Sequence, residues 1–220
     1  MKYYILTPLQ QEIFETLAKD NFITENYRFT GGTALSEFYL HHRLSEDLDF
    51  FTINDIDLDF LRNHLSELFQ KRDISTLEYR EYSSSKLFFL RKGKQETVKT
   101  EFNRFPYYPI DKQMVVFKLK VDSLLDITVN KLDAILNRKK SRDFIDFFFI
   151  QQKQHYPLNR LIKSLEKKVE WRVDPLVLAS RFYLVDTLKE YPKMLVQFSE
   201  KQMVGYFHRL SKELKNKIIM

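Results

Sequence analysis

Two aspartates, Asp47 and Asp49, stand two residues apart in an apolar stretch that predicts a β-strand. Because side chains alternate between the two faces of a strand, both carboxylates point to one face, while Leu48 and Phe50 point into a core. Two acids on an edge strand can be simple surface charges. Here the apolar flanks and the glycines that precede the acids favour a metal site, since a divalent cation such as Mg²⁺ or Mn²⁺ removes the repulsion between like charges.

A glycine pair, Gly31 and Gly32, follows a predicted strand from Tyr27 to Thr30. Glycine allows backbone N–H groups to approach an anion closely, and Thr33 opens a predicted helix whose positive end faces the same place. A glycine pair can also form no more than a tight turn. Followed by paired carboxylates, it indicates a site suited to metal-dependent phosphoryl or nucleotidyl transfer.

Two sequence blocks resemble the AbiEii-type nucleotidyltransferases, the toxin halves of bacterial abortive-infection toxin–antitoxin pairs in the polymerase-β-like superfamily. The first block reads Gly31-Gly32-Thr33-Ala34-Leu35, then Arg43-x-Ser45-x-Asp47-x-Asp49-Phe50. The second contains Lys131, Ala134, Arg138, Arg142, Asp143 and Asp146. Together they span the region from about Phe29 to Phe149.

The resemblance implies roles for the residues of the first block. Gly31, Gly32 and the hydroxyl of Thr33 would contact the β- and γ-phosphates of an NTP, and Asp47 and Asp49 would hold the metal. Two further residues match the pattern before the acids. Ser45 points to the same face as the acids and could reach the metal or a phosphate, whereas Arg43 is either a supporting residue or a surface charge.

A third metal ligand from a neighbouring strand is usual in the superfamily. Glu101 is the candidate, because it sits centrally in a predicted strand and faces away from Val98, Thr100 and Phe102. The alternative is that Glu101 is a cross-strand partner for a lysine.

For the second block, the resemblance implies that Lys131 contacts the phosphates of the nucleotide. Asp146 or Asp143 would serve as a base or orient it, with Arg138 and Arg142 as supporting residues. The alternative interpretation of the block is an ordinary pair of helices joined by salt bridges.

The predicted fold class is α+β. A nucleotidyltransferase-like mixed sheet with flanking helices is predicted over residues 1–121, and a helical bundle over residues 122–220 that would contribute Lys131 and Asp146 to a cleft between the domains. Strands are predicted at Tyr27–Thr30, Glu46–Thr52, Ile74–Tyr82, Lys86–Arg91, Glu96–Arg104 and Met114–Val121. Helices are predicted at Pro8–Lys19, Thr33–Leu40, Asp55–Arg72, Asp143–Gln152, Leu158–Val169, Pro175–Leu188 and Ser199–Lys217, with another helix from Ser123 onward. Thr7 is the predicted N-cap of the first helix, with Pro8 at its first position, and Asp174 is the predicted cap of the helix that begins at Pro175.

Composition narrows the class of protein. The 220 residues include no cysteine, which excludes a disulfide framework and a thiolate zinc site. Without a signal segment or a long apolar run, a soluble cytoplasmic protein with no membrane partner is expected. The net charge of +6 permits a nucleic-acid partner without requiring one. The scattered histidines, His42 among them, show no metal-ligand spacing and are expected at the surface or half-buried.

The function that the resemblance implies is Mg²⁺-dependent transfer of a nucleoside monophosphate from an NTP to an acceptor hydroxyl. The implied acceptor is RNA, in particular the 3′ end of tRNA, and the implied partner is a cognate antitoxin. Two alternatives remain open at this point. One is an enzyme of the same fold that modifies a protein or a small molecule, and the other is a non-catalytic module that binds nucleotide or RNA.

Overall fold

A computed structural model describes residues 2–94 and 97–216. The chain divides into two compact units, which we treat separately. The sheet unit comprises Met1–His41 and Ser45–Ser123, and the helical unit comprises His42–Leu44 and Leu124–Met220.

The sheet unit is built on one mixed sheet, and the part of it that the structure describes has seven strands. The strands are β1 (Arg28–Thr30), β2 (Leu48–Thr52), β3 (Ile74–Glu81), β4 (Ser85–Lys92), β5 (Val98–Arg104), β6 (Met114–Val116) and β7 (Leu119–Val121). Their spatial order is β3-β4-β5-β2-β1-β7-β6. The pairs β2–β5 and β1–β7 are parallel and the other neighbours are antiparallel. This mixed sheet with flanking helices confirms the predicted fold class.

Three helices of the sheet unit begin at a capping side chain, whereas the helix that starts at Gly31 and the π-helical turn after it have none. They are α1 (Pro8–Leu17), α2 (Asn21–Asn26), α3 (Gly31–Leu35), a π-helical turn (Ser36–Leu40) and α4 (Leu58–Gln70). Thr7 caps α1 in a capping box with Gln10, and Pro8 occupies the first helical position, as predicted. Asp57 caps α4 by accepting a hydrogen bond from the Phe60 N–H.

The strand that carries Asp49 is anchored by its opposite face, whereas Asp47 lies just before the strand begins. Leu48, Phe50 and Thr52 are buried, whereas Asp49 and Phe51 are only half-buried. The Phe50 ring stacks on Phe102 of β5, with ring centroids 5.2 Å apart. Truncation of a buried phenylalanine costs about 3–5 kcal/mol, so this packing holds β2 firmly in the sheet.

One predicted strand is in fact a hairpin. The sequence pattern predicts a single strand from Met114 to Val121, but β6 and β7 pair antiparallel around Phe117 and Lys118. Phe117 has φ of 55°, a conformation that usually calls for glycine or asparagine. Because the turn lacks those residue types, the sequence gives no signal for it.

The helical unit packs around an aromatic core. Its helices are α5 (Leu124–Asn137), α6 (Ser141–Gln154), α7 (Leu158–Val169), α8 (Pro175–Phe182), a 3₁₀ turn (Tyr183–Thr187) and α9 (Glu200–Asn216). Phe207 of α9 lies 5.0 Å from Phe144 of α6 and 5.4 Å from Phe182 of α8, measured between ring centroids. Asp174 caps α8 as predicted.

A short segment between the π-helical turn and β2 also packs within the helical unit. The Leu44 N–H donates to the Lys193 carbonyl and the Leu195 N–H donates to the His42 carbonyl, each at 2.9 Å. Arg43 forms a β-bridge with Met194. These contacts place Arg43 among helical-unit residues.

Two predicted boundaries, Glu96 for β5 and Lys217 for α9, lie outside the described residues. In residues 2–94 and 97–216, no helix has the length and apolar character needed to cross a membrane.

Candidate active site

Two acids of the sheet unit lie in one row with a threonine, across three neighbouring strands. Asp49 of β2 is in register with Thr30 of β1 on one side and with Glu101 of β5 on the other. Residues in register on adjacent strands share a face, so the row Thr30–Asp49–Glu101 lies opposite the core side chain Phe50. We call these three residues, together with Asp47 two positions before Asp49, the acid row.

Two carboxylates converge on one cation at this row. Lys99 Nζ lies 2.9 Å from Asp47 Oδ2 and 2.5 Å from Glu101 Oε1. Partial burial acts to lower the pKa of Lys99, but the hydrogen bonds to Glu101 and Asp47 outweigh it and raise that pKa above the usual lysine range. Glu101 therefore does have a lysine partner, but that lysine lies on its own strand and is shared with Asp47.

Gly31 packs directly against the acid row. It has φ of +78°, and a Cβ at this position would lie 2.1 Å from Asp49 Oδ2. Glycine is therefore required at position 31 by the backbone conformation and also because Asp49 leaves no room for a Cβ. The helix begins at Gly31 and not at Thr33 as predicted, so both glycines belong to the first turn of α3.

The loop that leads into the acids is held from two sides. The Thr33 hydroxyl donates to the Asp47 carbonyl, and the Ser45 hydroxyl donates to Thr33 Oγ1 at 2.8 Å. From α1, Gln10 Nε2 donates to the carbonyls of Ser45 and Glu46, each at 2.9 Å. Thr33 is fully buried. In this structure the two hydroxyls position the acids, and their contacts with phosphate or metal stay predictions.

Gln10 is a positioning residue that the sequence analysis missed. Its Oε1 accepts the Thr7 N–H at 2.9 Å in the capping box, which turns Nε2 towards the loop. The available signal was the Thr7-x-x-Gln10 spacing, which predicts the orientation of the amide but not the loop that it reaches.

The donor set suits a hard divalent cation by its chemistry. Among the described residues, no group of three or more His, Cys, Asp or Glu side chains is already arranged around a metal position. Asp47 and Glu101 nevertheless direct oxygens at one ammonium group, and Asp49 is the register partner of Glu101. Carboxylate oxygens are the ligands that Mg²⁺ prefers, so the ligand types fit such a cation, whereas the position that Asp47 and Glu101 share is taken by the Lys99 ammonium.

In the helical unit, Asp146 is fully buried and surrounded by donors. Arg43 binds it in a bidentate manner, with Nε 2.6 Å from Oδ1 and Nη2 2.8 Å from Oδ2. Lys131 Nζ lies 2.7 Å from Asp146 Oδ2, and His42 Nε2 lies 2.9 Å from Oδ1. This places Arg43 beside Asp146, although the two are separated by 103 positions in the sequence.

Asp143 completes the same network. Its Oδ1 accepts from Lys131 Nζ at 2.9 Å, and its Oδ2 accepts from Arg138 Nε at 2.7 Å. We call the six residues concerned the buried ion network: His42, Arg43, Lys131, Arg138, Asp143 and Asp146. Arg142 is half-buried in the first turn of α6.

The network shifts the ionisation of its members. Burial alone would raise the pKa of Asp146, but Lys131 and Arg43 outweigh it and hold that pKa well below the usual range. For Asp143, burial is likewise outweighed, by Lys131 and Arg138, and its pKa is lowered to about 2. A carboxylate stabilised in this way is a weak base, so the contacts favour an orienting role for both aspartates.

His42 is buried, contrary to the expectation of a surface or half-buried histidine. It is 1% exposed, because Nε2 donates to Asp146 and the ring packs 5.2 Å from Phe149. Burial lowers its pKa, against the opposing effect of Asp146. The ring is therefore neutral at pH 7.

Residues 14–205 match the model of a protein family described as "Nucleotidyl transferase AbiEii toxin, Type IV TA system". A related protein of Aquifex aeolicus, itself uncharacterized, is 28% identical over 198 residues, which is 87% of this chain and 89% of that protein.

Two solved structures share the fold. JHP933 from Helicobacter pylori has a TM-score of 0.58 at 21% identity, over 94% of this chain and 90% of that one. The nucleotidyltransferase toxin MenT4 from Mycobacterium tuberculosis has a TM-score of 0.58 at 14% identity, over 93% of this chain and 82% of that one.

Proposed function

The chain belongs to the AbiEii nucleotidyltransferase toxin family, and on that premise we propose that it transfers a nucleoside monophosphate from an NTP to a hydroxyl of RNA. The observation that supports this chemistry best is the acid row. It combines the convergence of Asp47 and Glu101 on one cation with the close approach of Gly31 to Asp49. The carboxylates offer oxygen ligands to a metal cation, and the first turn of the helix that begins at Gly31 offers backbone N–H groups to a phosphate.

Asp47, Asp49 and Glu101 would hold the metal, for which we propose Mg²⁺. When bound, the metal would neutralise charge on the triphosphate oxygens and lower the pKa of the attacking hydroxyl. In the transfer, the acceptor hydroxyl loses its proton to solvent and its oxygen bonds to the α-phosphorus. The bond from that phosphorus to the oxygen that bridges the α- and β-phosphates breaks, and pyrophosphate leaves with that oxygen and its electron pair.

The protein's own residues orient the groups that react. The backbone N–H groups of Gly31 and Gly32, at the start of α3, are proposed to bind the triphosphate. Thr33, Ser45 and Gln10 hold the loop through which Asp47 is presented.

For the helical unit, we propose that Lys131 binds phosphate oxygens and that Asp143 and Asp146 orient it. Both carboxylates contact the Lys131 amine and both have lowered pKa values, which supports orientation over proton abstraction. That Lys131 and Asp146 act at one site with the acid row stays a prediction.

The acceptor and the partner are proposed from the family and the charge. The chain carries a net charge of +6, which favours binding to the phosphate backbone of RNA. The 3′ end of tRNA is the acceptor that we propose, and a cognate antitoxin is the proposed partner of a toxin in a type IV system.

The test is incubation of the protein with α-labelled NTPs, Mg²⁺ and total RNA. We expect label in RNA with the wild type and a loss of about 10²–10³-fold with Asp49→Asn, the range found when one electrostatic stabiliser of a transition state is removed. Asp59→Asn is the control, because Asp59 is an exposed acid on α4. Absence of label from RNA, or its appearance only on a protein or a small molecule, would overturn the proposed acceptor.

A further inference from the structure

A second row of side chains lies beside the acid row on the same face of the sheet. Phe51 of β2 is in register with Arg28 of β1 and Asn103 of β5. These residues stand two positions along each strand from Thr30, Asp49 and Glu101, so the two rows share a face at a separation of about 7 Å. That separation is comparable with the length of one nucleoside.

Aromatic rings gather at this second row. The Phe51 ring lies 4.9 Å from Phe105, and Phe105 lies 4.9 Å from Tyr107. All three are half-buried. We call Phe51, Phe105 and Tyr107 the aromatic cluster.

The cluster is fixed to the sheet. The buried Arg28 donates from Nη2 to the Tyr107 carbonyl at 3.1 Å, and its guanidinium lies 5.8 Å from the Phe51 ring. The Phe105 N–H donates to the Thr52 carbonyl at 2.7 Å. Since the rings are already ordered, the binding of a ligand does not carry the entropic cost of ordering them.

Asn103 adds a polar group at the same row. The Ser85 hydroxyl donates to Asn103 Oδ1. This hydrogen bond directs the amide so that Nδ2 is the side that can donate to a ligand. Ordered aromatic faces beside an amide donor are the chemistry that recognises an unpaired nucleobase, by stacking and by a hydrogen bond to its edge.

We propose that a nucleobase stacks on the aromatic cluster while the reacting end of the same nucleotide lies at the acid row. This proposal rests on the proposed function and adds a base subsite to it. The base comes either from the incoming NTP or from the terminal nucleotide of the acceptor RNA, and both sources present the same π-face.

The test uses 2-aminopurine, a fluorescent base whose emission is quenched when it stacks on aromatic rings. It is offered to the full-length protein in two forms, as the riboside triphosphate and as the 3′-terminal base of an RNA oligonucleotide. We expect the wild type to quench one of the two probes. Phe105→Leu should weaken that binding by roughly tenfold or more, as expected for the loss of one stacking partner.

Two variants control the experiment. Phe105→Tyr keeps an aromatic face and should bind within about twofold of the wild type, whereas Tyr108→Leu removes a 73% exposed ring of the same loop and should have no effect. Thermal unfolding of each variant identifies any failure to fold, and Tyr107→Leu supplies a second test.

Quenching of the triphosphate identifies the NTP base as the occupant, and quenching of the oligonucleotide identifies the acceptor base. Quenching of neither probe, or equal binding by wild type, Phe105→Leu and Tyr107→Leu, overturns the subsite. Because the readout is binding, this result is separate from label transfer, on which the proposed function stands or falls.

Discussion

At the residue scale, Gly31 and Asp49 fit each other so closely that any side chain at position 31 would displace the carboxylate. We predict that Gly31→Ala lowers both the free energy of unfolding and the transfer rate. Part of the cost is the left-handed backbone, about 1–2 kcal/mol for a residue with a Cβ. The remainder is the collision with Asp49, whose Cβ is 2.9 Å from the added carbon.

Gly93→Ala is a matched control for Gly31→Ala. Gly93 also has a positive φ, of 55°, but a Cβ there meets nothing within 4 Å. Denaturant unfolding of both variants should therefore show the larger loss for Gly31→Ala, and only that variant should lose transfer activity. An equal loss of stability in the two variants would contradict the close packing of Gly31 on Asp49.

Lys99 neutralises the acids on which a metal would depend. We predict that Lys99→Met strengthens Mg²⁺ binding by up to about fivefold, since a partly exposed ion pair of this kind is worth up to about 1 kcal/mol and the ammonium competes with the metal. Isothermal titration with Mg²⁺ measures the change. Lys92→Met is the control, because Lys92 pairs with Glu12 at comparable exposure elsewhere in the sheet unit. Weaker Mg²⁺ binding by Lys99→Met would show that the lysine does not compete.

At the element scale, the buried ion network ties α5, α6 and the segment from His42 to Leu44 together. Removal of one partner from a buried pair leaves an uncompensated charge, which costs about 3–5 kcal/mol. We predict that Asp146→Asn loses stability in this range, as measured by urea unfolding. Asp186→Asn, in an exposed histidine pair, should change stability by less than about 1 kcal/mol. Unchanged stability of Asp146→Asn would mean that the network does not hold these elements.

The same network predicts a pH dependence of stability. The pKa of Asp143 is lowered to about 2, and that of Asp146 is also lowered, in the folded state. The stability that these two carboxylates contribute to the fold is therefore fully present above the pKa of an unfolded carboxyl group, near 4. It is lost as the pH falls towards 2. Measured by urea unfolding between pH 5 and 2, the free energy of unfolding should fall less for Asp143→Asn than for the wild type. Parallel pH profiles of the two proteins would contradict the lowered pKa of Asp143.

The buried His42 affects the stability of the fold at higher pH than the two aspartates do. Burial lowers its pKa in the folded state, so the unfolded chain binds the proton more tightly. Stability is therefore highest above the unfolded histidine pKa near 6.5 and falls as the pH drops below it. We predict that His42→Gln, which retains a donor for Asp146, flattens the stability profile between pH 7 and 5. His208→Gln serves as the surface control, and a wild-type profile without this slope would contradict the prediction.

Sequence patterns predicted those parts of the structure that depend on nearby residues. Alternation placed Asp49 opposite Phe50, and the caps at Thr7 and Asp174 follow from side chains within a few positions of each helix start. The register of Asp49 with Glu101 could not be predicted, because it arises from parallel pairing of two strands that are far apart in the chain. The ion pair from Arg43 to Asp146 could not be predicted either, because the two residues are separated by 103 positions in the chain.

At the scale of the whole molecule, the chain is a nucleotidyltransferase, with the acid row in its sheet unit and the buried ion network in its helical unit. The acid row is exposed enough to exchange partners, since the Asp47 and Lys99 side chains are 17% and 28% exposed. The buried ion network is enclosed, apart from the 46% exposed side chain of Arg138. We therefore propose that ligands exchange at the acid row and that the network orients Lys131. The cytoplasmic location stays a prediction.

The central claim is that the α-phosphate, and not the γ-phosphate, is the group transferred. Wild-type protein is incubated with Mg²⁺, total RNA and NTPs labelled at either the α- or the γ-phosphate. Our account predicts that the α-label enters RNA while the γ-label appears in pyrophosphate. Entry of the γ-label into RNA, or release of the γ-label as free phosphate with no α-label in RNA, would contradict it.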